Sequence, residues 1–185
     1  VINTGTAGSP SSNNVADLPN SGSQSRVDRN IGTVTEGNSY RMTGFMYAEN
    51  PGAGLDVALL TLLSGGSTAT ASVGLDDGDL KLLRFGPTSN LDGQDNGTWQ
   101  WLEIIYHSIA AAADTIEVRI DGLPAEVGGS PLGTLTVNND LSTTNGNSIR
   151  LQGRDLSGFS ALHFDDVSWS AFEPVTWTET FDDAK

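Results

Sequence analysis

Short runs in which apolar and polar residues alternate, each bounded by Gly, Asn, Asp or Pro, recur along the whole chain. A period of two is the mark of a strand with one buried face. Thr115–Ile120 is the cleanest case, with Ile116, Val118 and Ile120 on one face and Glu117 and Arg119 on the other. Trp99–Ser108 places Trp99, Trp101, Glu103, Ile105 and His107 on one face and Gln100, Leu102, Ile104 and Tyr106 on the other. Further strands are predicted over Ser25–Ile31, Ser39–Ala48, Leu55–Leu63, Thr68–Leu75, Leu80–Phe85, Leu132–Val137, Ser148–Gln152, Leu162–Trp169 and Val175–Phe181, with a bulge expected at Gly44. Asp76-Asp77-Gly78-Asp79 and Asp121-Gly122 carry the chemistry of tight hairpin turns. Only Ile109–Asp114 has a helix-like composition, and it is too short to stand alone as a helix. Many short strands with almost no helix imply an all-β, antiparallel two-sheet sandwich.

Length makes this one domain, since 185 residues suffice for a two-layer core. No internal repeat divides the chain. The composition shifts only at the start, so residues 1–19 read as an extended arm, 20–173 as the sandwich, and 174–185 as a C-terminal strand that completes a sheet, its own or a neighbour's. Charge narrows the partners. Nine Lys and Arg stand against 23 Asp and Glu, a net charge of −14. Such a surface repels phosphate backbones and anionic lipid, which argues against nucleic acid, and no run approaches the roughly 18 apolar residues of a membrane span. There is no Cys, so disulfides and thiol chemistry are excluded. Abundant Ser, Thr, Asn and Gly with scarce Lys, and an opening at Val1, suggest a secreted or cell-surface setting, as a processed chain or an excised domain.

Aromatic side chains are the first candidates for chemistry. Trp99, Trp101, Tyr106, Trp169 and Trp177 are the aromatic candidates for glycan stacking, with Trp99, Trp101 and Trp177 foremost, although aromatics at period two on a strand more often line a core, which weakens that reading for the first two. The sequon Asn96-Gly97-Thr98 is a glycosylation acceptor by pattern. The turns at Asp76–Asp79 and Asp92–Gly97 are rich in oxygen donors but lack the loop length and terminal Glu of a calcium hand, so they read as solvated turns.

Ala161–Trp169 (ALHFDDVSW), Thr178–Asp183 (TETFDD), the W-x-W-L-E-I of Trp99–Ile104, the V-R-I-D-G of Val118–Gly122 and the Tyr40 strand together resemble the concanavalin-A-like, laminin-G-like and carbohydrate-binding-module jelly rolls, over roughly Asn20 to Asp183. The resemblance implies a jelly-roll sandwich. It also implies a structural Ca2+ between the first and last strands, which here would draw on Asp165, Asp166, Asp182 and Asp183, with Asp166 freed by a bulge while Phe164 and Val167 are buried. Glycan-cleaving relatives carry paired carboxylates on one strand, or Arg, Gln-x-His and Tyr motifs. Neither a carboxylate triplet nor a Gln-x-His occurs here, and no Ser lies in a G-x-S-x-G, so the expectation is no enzymatic activity. The opening-type strand comes last in this chain. That order points to a non-catalytic structural or adhesive subunit of a fibre, tube or matrix. Val175, Trp177, Glu179 and Phe181 would enter a neighbouring copy as a donor strand, giving a homo-polymer with calcium at the joint. The alternative is a lectin-like carbohydrate-binding module from a secreted multidomain polysaccharide-degrading enzyme, with a polysaccharide as its partner.

Overall fold

The computed structural model describes residues 2–3, 15–17, 25–49, 57–76, 79–83, 89–93, 97–154 and 161–172. Within them the chain forms β1 (Ile2–Asn3), β2 (Val15–Asp17), β3 (Ser25–Gly32), β4 (Ser39–Glu49), β5 (Val57–Ser64), β6 (Thr68–Asp76), β7 (Asp79–Leu83) and β8 (Ser89–Asn90). It continues with β9 (Trp99–His107), β10 (Thr115–Ile120), β11 (Leu123–Pro124), β12 (Glu126–Val127), β13 (Ser130–Pro131), β14 (Leu135–Thr136), β15 (Asn147–Arg154) and β16 (Ala161–Ala171). No helix occurs among the described residues. One antiparallel sheet runs β1-β2-β16-β4-β9-β10-β11, with β14 also on β10. A second runs β3-β15-β5-β6-β7-β8, and β12 and β13 form a small hairpin of their own. The two-sheet sandwich is therefore as the alternation predicts.

The core lies between the sheets and follows the period of two. Met42, Met46 and Ala48 of β4, Leu102, Ile104 and Tyr106 of β9, Ile116, Val118 and Ile120 of β10, and Leu162 and Phe164 of β16 meet Ala58, Leu60 and Leu62 of β5 with Ala71, Val73 and Leu75 of β6. The Asp121-Gly122 turn joins β10 to β11 with both residues at positive φ, 51° and 81°, the conformation of the favoured two-residue hairpin turn. Ile109–Asp114 is a turn, closed by Ala112 N–H donating to the Ile109 carbonyl at 3.3 Å.

Two local departures position the site described below. The irregularity expected at Gly44 lies on the facing strand. The register between β4 and β16 shifts between Asp165 and Ser168, and Asp166 takes φ 47°. The absent side chain of Gly44 makes the room: a Cβ there would come within 3.1 Å of Val167 Cγ2. The bulge turns Val167 toward the core and Asp166 to solvent, as the sequence pattern anticipates. The second departure is at the N-terminus. Val15–Asp17, assigned by composition to an extended arm, pairs with β16, with Asp17 opposite His163 and Ala16 opposite Phe164, and β1 pairs with β2 in turn. Val175–Phe181 lies outside the described residues.

Candidate functional site

Strand alternation and register bring a polar and aromatic array onto the outward face of the larger sheet. On β4 the residues pointing away from the core are Arg41, Thr43, Phe45, Tyr47 and Glu49; on β9 they are Trp99, Trp101, Glu103, Ile105 and His107. The pairing lines these up in rows. His163, Tyr47 and Trp99 form one row, Asp165, Phe45 and Trp101 the next, and Ser168, Thr43, Glu103 and Arg119 the one after. Ser170, Arg41, Ile105 and Glu117 follow, and Ser39, His107 and Thr115 close the array.

One end of the array is aromatic. The rings of Phe45 and Trp101 lie 4.5 Å apart at 60°, and those of Tyr47 and Trp99 5.5 Å apart at 47°. His163 joins the second pair, 5.7 Å from Tyr47 and 6.3 Å from Trp99. All five are partly exposed, so their ring faces and edges meet solvent while the packing between them holds their orientation. Phe45, Trp101, Asp166, Val167 and Ser168 line an open depression of about 610 Å³. At its edge the Trp101 N–H donates to Asp121 Oδ1 at 2.8 Å, tying the aromatic strand to the β10–β11 turn.

The other end is charged. Arg41 Nη1 stands 3.6 Å from Glu103 Oε1, and the Glu103 side chain is only 6% exposed. Arg119 Nη2 is 3.7 Å from Glu117 Oε2. His107 lies between two partners. Its Nδ1 and Ser39 Oγ are hydrogen-bonded at 2.8 Å, and its Nε2 is buried and faces Glu117 Oε1 at 3.4 Å without hydrogen-bond geometry. Thr43 and Ser168 share a hydroxyl hydrogen bond of 2.7 Å across the strands. Together the array offers donors, acceptors, carboxylates and an imidazole beside a set of rings, the ingredients that hold and act on a polyhydroxylated ligand.

Trp99 and Trp101 thus face away from the core, contrary to the expectation that period-two aromatics are buried. The inward positions of β9 are filled by Gln100, Leu102, Ile104 and Tyr106 instead. Trp177 lies outside the described residues. Phe45, Tyr47 and Arg41 carry no motif of their own, and only the β4–β9–β16 pairing brings them and His163 to one face. Of the expected calcium ligands, Asp165 is 1% exposed and accepts a hydrogen bond from Asp166 N–H at 2.9 Å, while Asp166 is exposed on the bulge. Asp182 and Asp183 lie outside the described residues. Among the described residues no three His, Cys, Asp or Glu side chains come together as a metal site.

No protein-family model matches the chain, and no curated protein matches it. Solved structures do. An endo-β-1,4-glucuronan lyase from the fungus Trichoderma reesei aligns at 13% identity with a TM-score of 0.51, over 86% of this chain and 80% of that one. A sialidase aligns at 13% identity and TM-score 0.50 over 85% of this chain, which spans 15% of the sialidase. A polysaccharide lyase of family 18 aligns at 10% identity and TM-score 0.49, over 84% and 83%. The chain has the concanavalin-A-like jelly-roll fold.

Two expectations are corrected by this. The chain reads as a fibre subunit only on sequence order; the structures sharing its fold are glycan-cleaving proteins, and the fold covers most of the glucuronan lyase. The structure adds a physical reason. At the closing strand, β2 of the same chain pairs with His163 and Phe164, so that stretch of edge is taken up from within the chain. The expectation of no enzyme falls with it, since an endo-β-1,4-glucuronan lyase has the same fold. It rested on missing linear motifs, but Arg41, Glu103, His107, Glu117 and Arg119 are brought together here from three strands, which no single-strand motif reports.

Proposed function

We propose that this chain is a carbohydrate-active domain that takes a polysaccharide across the outward face of its larger sheet. The observation that supports it is the row-by-row placement of Tyr47, Trp99 and His163 beside Phe45 and Trp101, five partly exposed rings on the face opposite the core. Rings left half in water at the centre of a sheet gain most when an apolar sugar face covers them, and the neighbouring hydroxyls, carboxylates and guanidinium groups supply partners for sugar hydroxyls. A polysaccharide partner and an extracellular setting accord with the polysaccharide-acting proteins of the same fold.

A second reading, that the face also cleaves its ligand, is favoured by His107. An imidazole held by Ser39 and facing Glu117, one strand row from Arg41 and two from Glu103, has the chemistry of a general acid or base. One experiment tests both readings. Soluble polysaccharides are titrated into the protein by calorimetry, and the same mixtures are followed for new reducing ends and unsaturated products. Trp101→Ala should weaken binding at least about tenfold, equivalent to about 1.4 kcal/mol, and His107→Ala should abolish any product formation while binding persists. Polysaccharide binding that Trp101→Ala leaves unchanged would place the ligand elsewhere.

A further inference from the structure

We infer that the polysaccharide this face takes is uncharged, and not a polyuronate; the inference rests on the binding face proposed above. Among the described residues of the face, Glu49, Glu103, Glu117, Asp165 and Asp166 supply negative charge, and Arg41 and Arg119 are the cations apart from the two histidines. Both guanidinium groups already face carboxylates, Arg41 at 3.6 Å from Glu103 and Arg119 at 3.7 Å from Glu117. Turning Arg41 toward a ligand's carboxylate would leave Glu103, whose side chain is 6% exposed, as a buried charge without its cation. Asp166 stands exposed on the bulge beside Trp101 and Phe45, so a polyanion lying on the rings would meet a carboxylate at the rim of the depression. The whole chain, at net charge −14, adds a long-range repulsion of the same sign.

An uncharged chain meets none of these penalties. Its hydroxyls both donate and accept, which is what paired Arg and Glu side chains, the Thr43–Ser168 hydroxyl pair and the Ser39–His107 pair offer together. A polycation would be drawn by Asp166 and by the net charge, but it would find the carboxylates of β9 and β10 already held by Arg41 and Arg119.

The test uses the full chain at low ionic strength, where repulsion between exposed charges is least screened. Affinity electrophoresis and calorimetry compare uncharged polymers (mixed-linkage β-glucan, xyloglucan, galactomannan) with polyuronates (alginate, glucuronan, polygalacturonate) and with chitosan. The expected result is Trp101-dependent binding of an uncharged polymer at least about tenfold tighter than any charged one. A second variant, Asp166→Asn with Glu117→Gln, frees Arg119 and removes two carboxylates at partly or fully exposed positions. It should raise polyuronate affinity several-fold, an effect that fades as salt is added. Polyuronate or chitosan binding that is as tight as that of the uncharged polymers and is lost in Trp101→Ala would overturn the charge inference and leave the binding face standing. So would an Asp166→Asn/Glu117→Gln variant with unchanged polyuronate affinity. Failure of every polymer to bind in a Trp101-dependent way would overturn the face itself, and this inference with it.

Discussion

The two sheets turn very different faces outward. Across the smaller sheet one row reads Asp28, Arg150, Thr61 and Ser72, from the edge inward. Its interior members are small and satisfied by one another, the Thr61 hydroxyl donating to Ser72 Oγ at 3.0 Å, and flanking Leu59 and Leu63 are buried at 6% and 1% exposure. The larger sheet carries Trp, Tyr, Phe, His, Arg and Glu in the equivalent positions, most of them partly exposed. Both faces lie outside the central core, so facing away from it does not make a site. What separates them is that one leaves large rings and charged side chains partly exposed, whereas the interior of the other is buried, with Thr61 and Ser72 bonded to each other and Thr70 bonded to the Asn139 carbonyl.

If that contrast holds, a deletion on the smaller sheet's outward face changes stability and leaves ligand binding alone. Leu63→Ala should show the largest effect, about 2–5 kcal/mol in denaturant unfolding, with unchanged polysaccharide affinity per folded molecule. Trp101→Ala should do the reverse. A Leu63→Ala protein that remains as stable as the parent, or that loses ligand while folded, would erase the distinction between the faces.

Much of this contrast can be read from the chain, up to a definite point. Alternation in Thr115–Ile120 and Trp99–Ser108 assigns residues to faces correctly, including Glu103 and His107 beside Trp99 and Trp101. It does not tell which face of Trp99–Ser108 is the core, because both faces are rich in apolar side chains, and burial of Gln100 and Tyr106 decides it only in three dimensions. The bulge at Asp166 is legible because Phe164 and Val167 both need burial, whereas the irregularity expected at Gly44 lies on the facing strand, since the glycine marks where the partner's extra residue packs. β11 to β14 are two residues each, too short to have a period. Val15–Asp17 pairs through its backbone, which leaves no hydrophobic pattern to read. The site's membership depends on β4 lying between β16 and β9, a pairing of residues more than fifty positions apart.

The inward face of the larger sheet sharpens the comparison at intermediate size. One of its polar groups, the Tyr106 hydroxyl, is paired on both sides: it donates to Asp114 Oδ2 and accepts from Leu141 N–H at 2.8 Å. Burial first, and then the bond to Asp114, push the phenol's pKa well above its ordinary value. A raised folded pKa means stability that is fully present below the unfolded phenol's pKa of about 10 and is lost as pH rises past it, because only the unfolded chain then ionises freely. Tyr106→Phe should cost about 1–3 kcal/mol at neutral pH, from the unpaired Leu141 N–H and the Asp114 oxygen left without its donor. It should also flatten the decline in melting temperature above pH 10 and leave polysaccharide binding intact. A variant with the parent's alkaline profile would show that Tyr106 does not set it.

The smallest expected effect is at the edge of the quiet face. Arg150 grips Asp28 with both ends of its guanidinium group, Nε to Oδ1 at 2.6 Å and Nη2 to Oδ2 at 2.8 Å. The bond from Arg150 is the main reason the Asp28 carboxyl titrates below its ordinary value, against a smaller opposing cost of burial. A lowered folded pKa contributes stability that is present above the unfolded Asp value of about 3.9 and disappears as pH falls through the folded value. The window for its loss is therefore below about pH 4. The Asp28 side chain is 37% exposed, so water and salt screen the pair, and its worth stays under about 1 kcal/mol. Asp28→Asn should accordingly lower neutral-pH stability only slightly, lose that difference from the parent below pH 4, and lose it again in high salt. The paired charges of the larger sheet's outward face behave differently in one respect: Glu103 is nearly enclosed, so Arg41→Ala should destabilise more than Asp28→Asn, with a loss that persists in high salt. Equal losses from the two substitutions would mean that enclosure of Glu103 does not separate the charged site from an ordinary surface pair.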